Sequence, residues 1–322
     1  MLSCQQRFLS EIYMIYAPVI IPTLNRYEHF RNCLESLSKC SGAENTEVYI
    51  GLDYPSKLEH LSGYKKIRDY LDNCGNLGFK KLTVIKREKN YGLGANGNYA
   101  SLKNMIQKAH DYYISTEDDN IFAPNFLEFM NLCLCRYKDD LTISSVCGYN
   151  PSNVYKNKHE VLLTPFVTAW GMGHWTWKEK DYSIKYLDVE NVFKHITKRL
   201  KIWIVSPILY RMMCHMILHH KRFGDVCSSI YNIIHNQYQI RPSRNLVINK
   251  GFDGSGTNCK DATTNKINQT ISQEKHYSSI ETEKKMGWEI YFFYEIGFTI
   301  KAIYRAVKDL YYVICPKKLA NI

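Results

Sequence analysis

Residues 112–126 read YYISTEDDNIFAPNF. Tyr112 to Ser115, YYIS, is a short buried-type strand that runs straight into Glu117-Asp118-Asp119. Three adjacent carboxylates repel one another unless something positive sits among them. Hard oxygen ligands favour Mg2+ or Mn2+, and one or two carboxylates plus a diphosphate commonly hold such an ion. The plainer reading of an acidic run is a solvated turn. Here an apolar strand comes before it and an apolar helix after it, from Pro124 to Leu134 with Pro at a first-turn position. The run is therefore read as functional, a carboxylate group suited to Mg2+ or Mn2+.

Strand and helix alternate upstream of this segment. Ala17–Pro22 is a first strand, and Tyr27–Lys39 carries Phe30, Cys33, Leu34 and Leu37 at helical spacing. Glu47–Leu52 is a second strand ending at Asp53, 64–71 is helical, and Lys81–Ile85 is a third strand. A glycine- and asparagine-rich turn at 92–97 leads into a helix near 99–109. This order predicts an α/β fold with a mostly parallel sheet and helices on both faces. Ligands of such sheets lie beyond the carboxyl ends of the strands. Arg26, Asp53 and Asp119 all follow strands, so one sheet edge gathers them.

The second half is less regular. Phe166–Trp177, FVTAWGMGHWTW, reads as a glycine- and tryptophan-rich loop, and about Val192–Arg222 as a basic helical segment. Arg241–Cys259 reads as a strand and a glycine-rich turn. The polar tail from Lys260 to about Lys285 reads as a mobile linker. The expected organisation is an N-terminal tail (1–16), a ligand-binding α/β half (17–190), a second half (191–260), and a linker with an amphipathic C-terminal helix (261–322).

The chain of 322 residues has a formal net charge of +11, which favours an anionic partner. No helix-turn-helix, zinc-finger or RNP-type motif speaks for nucleic acid. The 11 cysteines are scattered, with no C-x-x-C pair, which suits a reducing compartment. The first residues lack the features of a signal peptide, and Met14 stands just before the first strand as an alternative start. Neither 202–218 nor 288–314 offers about 20 uninterrupted apolar residues, so neither is expected to span a membrane. The second is aromatic-rich with cations at helical spacing. It is read either as a helix packed on the core or as a peripheral contact on the inner face of the plasma membrane of a cytoplasmic protein.

Glu117-Asp118-Asp119 followed by Ala123-Pro124-Asn125-Phe126 resembles the E-D-D-x-x-x-A-P-D-F-F signature of eukaryotic N-acetylglucosaminyltransferase I. Val19–Leu37 is similar to that family's first strand and helix, and Ile50-Gly51-Leu52-Asp53 to its V-S-Q-D strand end. Arg241-Pro242 and the Gly251–Cys259 turn resemble its R-P…F-G-x-x-G-x-S-H segment. The chain also looks like bacterial family 2 glycosyltransferases that build surface polysaccharides. The resemblance covers about Ala17–Cys259 and is more specific in the first half.

It implies a GT-A fold and an inverting, Mn2+- or Mg2+-dependent transfer from a UDP-sugar, with UDP-N-acetylglucosamine first among donors. The implied acceptor is a glycan, free or lipid-linked. It implies Asp119 on the metal and Asp118 at the donor ribose, with Glu117 beside them. Pro22, Thr23, Arg26 and Asp53 would line the base, and Asn90, Gly92 and Asn96 would pass close to the nucleotide. Gly171, Gly173 and Trp175 would belong to a donor-sugar loop, with Trp170 or Trp175 as an apolar platform. The family's final turn often carries a histidine where this chain has Asn258.

For the catalytic base, Asp225 occupies the place of the family's W-D-D-W segment, upstream of its R-P. A helix cap is the plainer account of Asp225. Glu179, Asp181 and Asp188 are the other candidates, although the run Lys178-Glu179-Lys180-Asp181 also reads as a solvated face. Two rival functions remain open at this point. A sugar-phosphate nucleotidyltransferase would need a glycine-rich loop after the first strand, where Pro22-Thr23-Leu24-Asn25-Arg26 has none. A non-catalytic nucleic-acid or membrane-binding protein would explain the charge but not the acidic strand end.

Overall fold

The computed structural model describes residues 16–92, 96–150, 160–181, 187–255, 270–277, 279–285 and 300–314. Its organising element is β1 (Val19–Thr23). Neighbouring residues of a strand point to opposite faces, and here both faces are apolar. Val19 and Ile21 join a core with Phe30, Leu34 and Phe129, while Ile20 joins Leu102, Ile106 and Tyr113. A strand buried on both faces needs helices above and below its sheet.

The chain supplies them in order: α1 (Tyr27–Ser38), β2 (Glu47–Leu52), α2 (Leu61–Asn73), β3 (Lys81–Lys86), α3 (Asn98–Ile106) and β4 (Tyr112–Ser115). These four strands are parallel and lie in the order β4-β1-β2-β3. The strands and helices described between 17 and 115 thus follow the predicted order. Next come β5 (Asn120–Phe122), α4 (Phe126–Arg136), β6 (Ile143–Cys147), β7 (Glu160–Thr164), β8 (Met172–Trp175) and α5 (Thr176–Asp181). A helical group follows: α6 (Val189–Lys194), α7 (Ile196–Val205), α8 (Pro207–Leu218) and α9 (Gly224–His235). The chain then returns through β9 (Tyr238–Pro242), β10 (Val247–Asn249) and β11 (Thr282–Lys285), and α10 (Ile300–Ile314) is the last described element. The main sheet runs β11-β7-β9-β6-β8-β4-β1-β2-β3, and β5 pairs with β10 apart from it. This is the mostly parallel α/β arrangement with helices on both faces.

Several local expectations are corrected. The supposed loop at 166–177 contains β8, which enters the sheet antiparallel between β4 and β6. Gly173 on β8 lies under Met130 and Leu134 of α4, so it serves close packing. The helix expected from Pro124 starts at Phe126, with Pro124 outside it. The basic segment 192–222 is broken into separate helices. Ser206 ends α7 and caps α8, its Oγ accepting Leu209 N–H at 3.0 Å with Pro207 at the first position. Part of the supposed linker is ordered against the core. Ile271 and Tyr277 pack on it, Ile280 is buried, and β11 pairs parallel with β7.

Lys178 and Glu179, expected on a solvated face, are not exposed either. Lys178 Nζ donates to the carbonyls of Tyr137 (2.8 Å), Asp140 (2.8 Å) and Ile143 (3.1 Å) and sits 3.8 Å over the Trp175 ring. Burial brings its pKa down to about 8. Glu179 Oε1 lies 2.9 Å from His174 Nδ1, and its Oε2 lies 3.0 Å from Lys103 Nζ and accepts Tyr113 O–H at 2.8 Å. His174 Nε2 is 2.9 Å from Ser115 Oγ. The order Ser115, His174, Glu179 is that of a nucleophile relay. With Ser115 6% and His174 5% exposed, however, the cluster is closed to substrate and staples β8 and α5 to β4 and α3.

Burial alone would push the Glu179 carboxyl up, but His174 and Lys103 outweigh it and bring it down to about 2. A depressed carboxylate stabilises the fold fully above its ordinary value and loses that contribution as pH falls toward 2. Glu179→Gln is therefore expected to cost up to about 3 kcal/mol at neutral pH. Its stability should also fall less steeply than that of the native chain between pH 5 and 2. Urea unfolding across that range checks both, and parallel curves for the two proteins would refute the assignment.

The helical group has its own core of Ile202, Met213, Val226, Ile230 and Val313. The last residue comes from α10, which packs on α7 and α8. Arg199 Nε donates to the Val313 carbonyl at 2.8 Å, and Arg211 pairs with Asp309. The expectation that the C-terminal helix packs on the core is met on this face. Tyr304, Val307, Tyr311 and Ile314 are exposed on the other. Among the described residues no helix is long and apolar enough to cross a membrane, and every cysteine is a free thiol.

Candidate active site

The ends of β1 and β4 lie side by side, with Val19 paired to Ile114 and Ile20 to Ser115. Residues 23–26 and 117–119 therefore emerge at the same edge. Thr23 Oγ1 donates to Asp118 Oδ2 at 2.8 Å. The loop then turns into α1 over Gly63, where a Cβ would come within 1.8 Å of the Asn25 carbonyl oxygen. That close approach fixes where Arg26 starts. Its guanidinium bridges the two aspartates, Nη2 on Asp118 Oδ1 and Nη1 on Asp119 Oδ2, the latter at 2.8 Å.

A third strand end completes the group. Asn249, at the end of β10, donates Nδ2–H to Asp119 Oδ1 at 2.7 Å. Lys250 N–H donates to the Asp119 carbonyl at 2.8 Å. Gly251 follows, and a Cβ there would stand 2.2 Å from Asp119 Oδ2, so only glycine lets the turn come this close. On the rim, His29 Nε2 lies 2.8 Å from Asp253 Oδ2, and Ser255 Oγ donates to Asp253 Oδ1 at 2.6 Å. This contact clasps the 251–255 turn to α1.

Asp118 and Asp119 are only 6% and 5% exposed. Burial raises the Asp118 pKa; Arg26 opposes the rise, and Asp119 adds to it. Burial works against the Arg26 charge, but Asp118 and Asp119 together outweigh it and hold its pKa above the ordinary value. Burial, then Asp119 and Asp118, push the Glu117 carboxyl up to about 7; Arg26 opposes them and Asp225 adds a further push. Glu117 keeps an exposed surface, so water tempers that push. The contribution of Asp225 puts α9 within electrostatic reach of Glu117.

Other expected residues fall differently. Arg26 faces the carboxylates. Asp53 is buried, and four donors take its carboxylate: Tyr54 N–H (2.9 Å) and Tyr91 N–H (2.8 Å) on Oδ1, Gly92 N–H (2.8 Å) and Asn90 Nδ2–H (3.3 Å) on Oδ2. It anchors the 90–92 loop beside the site. Asn96 is exposed, and Pro22 lies in β1 opposite Gly51. Asn258 lies outside the described residues.

Trp175 does not line the site. It is fully buried, its Nε1–H donates to the Leu134 carbonyl at 2.9 Å, and it pairs with Tyr112 at the far end of β4. Gly171, like Gly173, serves packing; it has φ +64° and lies against Phe126 and Val247. Trp170 is the tryptophan near the site, its ring 5.6 Å from that of Phe252 in the turn beside Asp119. Of the alternative bases, Glu179 is closed inside the staple, and Asp188 caps α6 by accepting Asn191 N–H at 2.8 Å. Sequence reading missed Asn249. The signal available was an asparagine ending a short apolar strand, Val247-Ile248-Asn249, immediately before Lys250-Gly251.

Residues 19–200 match the family model described as Glycosyl transferase family 2. The chain belongs to this family. The family 2 match runs from β1 into α7, so it contains Arg26, Asp118 and Asp119, while α9 and β10 lie beyond it. Solved structures similar to the chain include the mannosyltransferase PcManGT from Pyrobaculum calidifontis in complex with GDP-Man and Mn2+. There the identity is 17% and the TM-score 0.38, over 53% of this chain and 47% of that one. TarS 1–349 of S. aureus in complex with UDP-GlcNAc matches at 18% identity and TM-score 0.34, over 52% and 48%. The glycosyltransferase GlyE of Streptococcus pneumoniae matches at 11% identity and TM-score 0.32, over 70% and 45%. The chain thus spans about half the length of these solved structures. No curated protein matches it.

For a family 2 chain, the Asp53 geometry changes what its removal should do. Asp53→Ala strips four donors of their acceptor. The fold should persist with a loss of about 1–3 kcal/mol, and binding of a nucleotide donor should weaken because the 90–92 loop is released. Thermal unfolding and calorimetry with UDP check this, and unchanged values in both would show that the loop does not depend on Asp53.

Proposed function

We propose that the chain is an inverting glycosyltransferase that moves a sugar from a UDP-sugar, UDP-N-acetylglucosamine first among donors, to a glycan acceptor in surface polysaccharide synthesis. The observation that carries this reading is the convergence of Asp118 and Asp119 on a cationic group at the carboxyl edge of β1 and β4, in a family 2 chain.

The group fits a divalent ion. Its donors are hard carboxylate oxygens, and the Arg26 guanidinium already stands between them as a cation of the protein's own. Among the described residues no three acidic, histidine or cysteine side chains converge on one point. Asp119 would therefore hold Mn2+ or Mg2+ together with diphosphate oxygens and water. When bound, the ion stabilises the charge that develops on the departing diphosphate.

The protein's own groups do the rest. Asn249 fixes the Asp119 carboxylate through Oδ1, and Thr23 fixes Asp118, which would reach the donor ribose. The 90–92 loop and the 251–255 turn flank the nucleotide and exclude water. Asp225 takes the proton from the acceptor hydroxyl as its oxygen attacks the anomeric carbon. The bond from that carbon to the diphosphate breaks on the opposite face, which inverts the configuration. The exposed face of α10, with Tyr304, Val307, Tyr311 and Ile314, supports peripheral contact with a membrane that carries a lipid-linked acceptor.

Calorimetric titration with UDP and GDP, with and without Mn2+, tests the reading, followed by turnover over several nucleotide sugars. UDP should bind with Mn2+ present, and one UDP-sugar should be turned over. Failure of every nucleotide to bind under either condition would overturn the proposal.

A further inference from the structure

Arg26 takes the two carboxylate oxygens that no other described group donates to. Asp118 Oδ2 is held by Thr23 and Asp119 Oδ1 by Asn249. The remaining pair, Asp118 Oδ1 and Asp119 Oδ2, lies under the two arms of the guanidinium. Among the described residues Arg26 is the only ion-pair partner of either aspartate. A planar fork suits such bridging, and it suits phosphate equally well.

The backbone of the Arg26 loop is pinned. Gly63 sits against Asn25, Tyr27 N–H donates to the Asn25 carbonyl at 3.1 Å, and Phe30 N–H to the Arg26 carbonyl at 2.9 Å. The Arg26 side chain is 21% exposed. It can swing toward solvent while its loop stays fixed. An ion that reaches Asp119 Oδ2 competes with the guanidinium already seated there, because the two cations repel each other at that oxygen. Removing the guanidinium with nothing in its place would leave two buried carboxylates facing each other, which is strongly unfavourable.

We propose that Arg26 is a built-in counter-cation that competes with the divalent ion, and that the nucleotide diphosphate relieves this competition by giving the displaced guanidinium a new anionic partner. Metal and nucleotide then bind with positive coupling, each raising the affinity of the other by the same factor. The metal-free protein keeps its site formed, and the ion enters readily only with the donor. This inference rests on the donor-site reading above.

The test is Mn2+ binding to the full chain, followed by the EPR signal of free Mn2+ with and without UDP, for the native protein, Arg26→Gln and Arg26→Lys. The native protein should bind Mn2+ weakly alone and about tenfold or more tightly with UDP. Arg26→Gln should bind Mn2+ alone about tenfold more tightly than the native protein and gain little from UDP. Arg26→Lys keeps the charge but cannot bridge both carboxylates, so it should fall between them; it carries the test if the glutamine variant fails to fold. Equal Mn2+ affinity in all three proteins without UDP would overturn the inference. Tighter Mn2+ binding by Arg26→Gln with the UDP coupling unchanged would overturn it as well, since loss of a nearby charge alone would do that. If Mn2+ binds to none of the three, with or without UDP, the donor-site reading itself fails.

Discussion

Asp119→Ala is expected to abolish sugar transfer, with a fall of at least about 10³-fold in turnover. The departing diphosphate loses the group that would hold its counter-charge, at the moment when charge develops. Asp119→Asn should be nearly as damaging. It keeps the shape but removes the charge and sets an amide beside the Asn249 Nδ2–H and the Arg26 guanidinium. Both variants should still fold, because the strands that meet at the site are buried independently of it. A stability loss of about 1–3 kcal/mol is expected in Asp119→Ala, where Asn249 loses its acceptor. Turnover with a UDP-sugar, calorimetry with Mn2+, and thermal unfolding separate the two effects. Full activity of the native protein in excess EDTA would sink the assignment.

The part of this site that could be read in the sequence is the part built by local pattern. β1, β2 and β4 are largely apolar runs with polar residues after them, and in a parallel sheet that alone brings Arg26, Asp53 and Asp119 to one edge. What the pattern could not supply is the direction in which long or distant side chains turn. Arg26 follows a strand and so reads as a ligand contact, but its arm folds back on the two aspartates. Asn249 meets Asp119 across 130 residues of sequence, and no periodicity joins them.

β8 was hidden for a different reason. Met172-Gly173-His174-Trp175 has neither branched residues nor alternation, yet it is buried on both faces. Gly173 is there because α4 leaves no room for a side chain, and His174 because Ser115 and Glu179 satisfy it. Tertiary contacts, rather than strand propensity, choose those residues. Lys178 and Glu179 misread as surface for the same reason. Their charges are satisfied by three carbonyls and by a buried network, neither of which is visible in a run of alternating signs.

Asp225→Asn carries the second large expected effect. Asp225 stands in the first turn of α9, but the cap position belongs to Phe223. Among the described residues its Oδ1 accepts only the N–H of the next residue, Val226, at 2.9 Å. A role as helix cap therefore does not account for it. The residue is exposed, as a base that must meet an incoming acceptor has to be, and its charge is felt at Glu117. The helix beneath it is held firmly. Ser229 Oγ accepts Val167 N–H at 2.9 Å, Asn232 Nδ2 donates to the Pro165 carbonyl at 3.2 Å, and Arg241 Nη2 ties the same segment down through the Phe166 carbonyl at 2.9 Å. In the proposed function Asp118 and Asp119 face the diphosphate, and an exposed carboxylate on a fixed helix is then the group assigned to proton removal. Asp225→Asn should keep UDP and Mn2+ affinity, change stability by less than about 1 kcal/mol, and lose about 10²–10⁴-fold in transfer. Calorimetry, thermal unfolding and a transfer assay measure the three separately. Transfer at close to the native rate would move the base elsewhere. Glu179 is saturated inside its staple and Asp188 is engaged as a cap, so Asp181 would be the next carboxylate to replace.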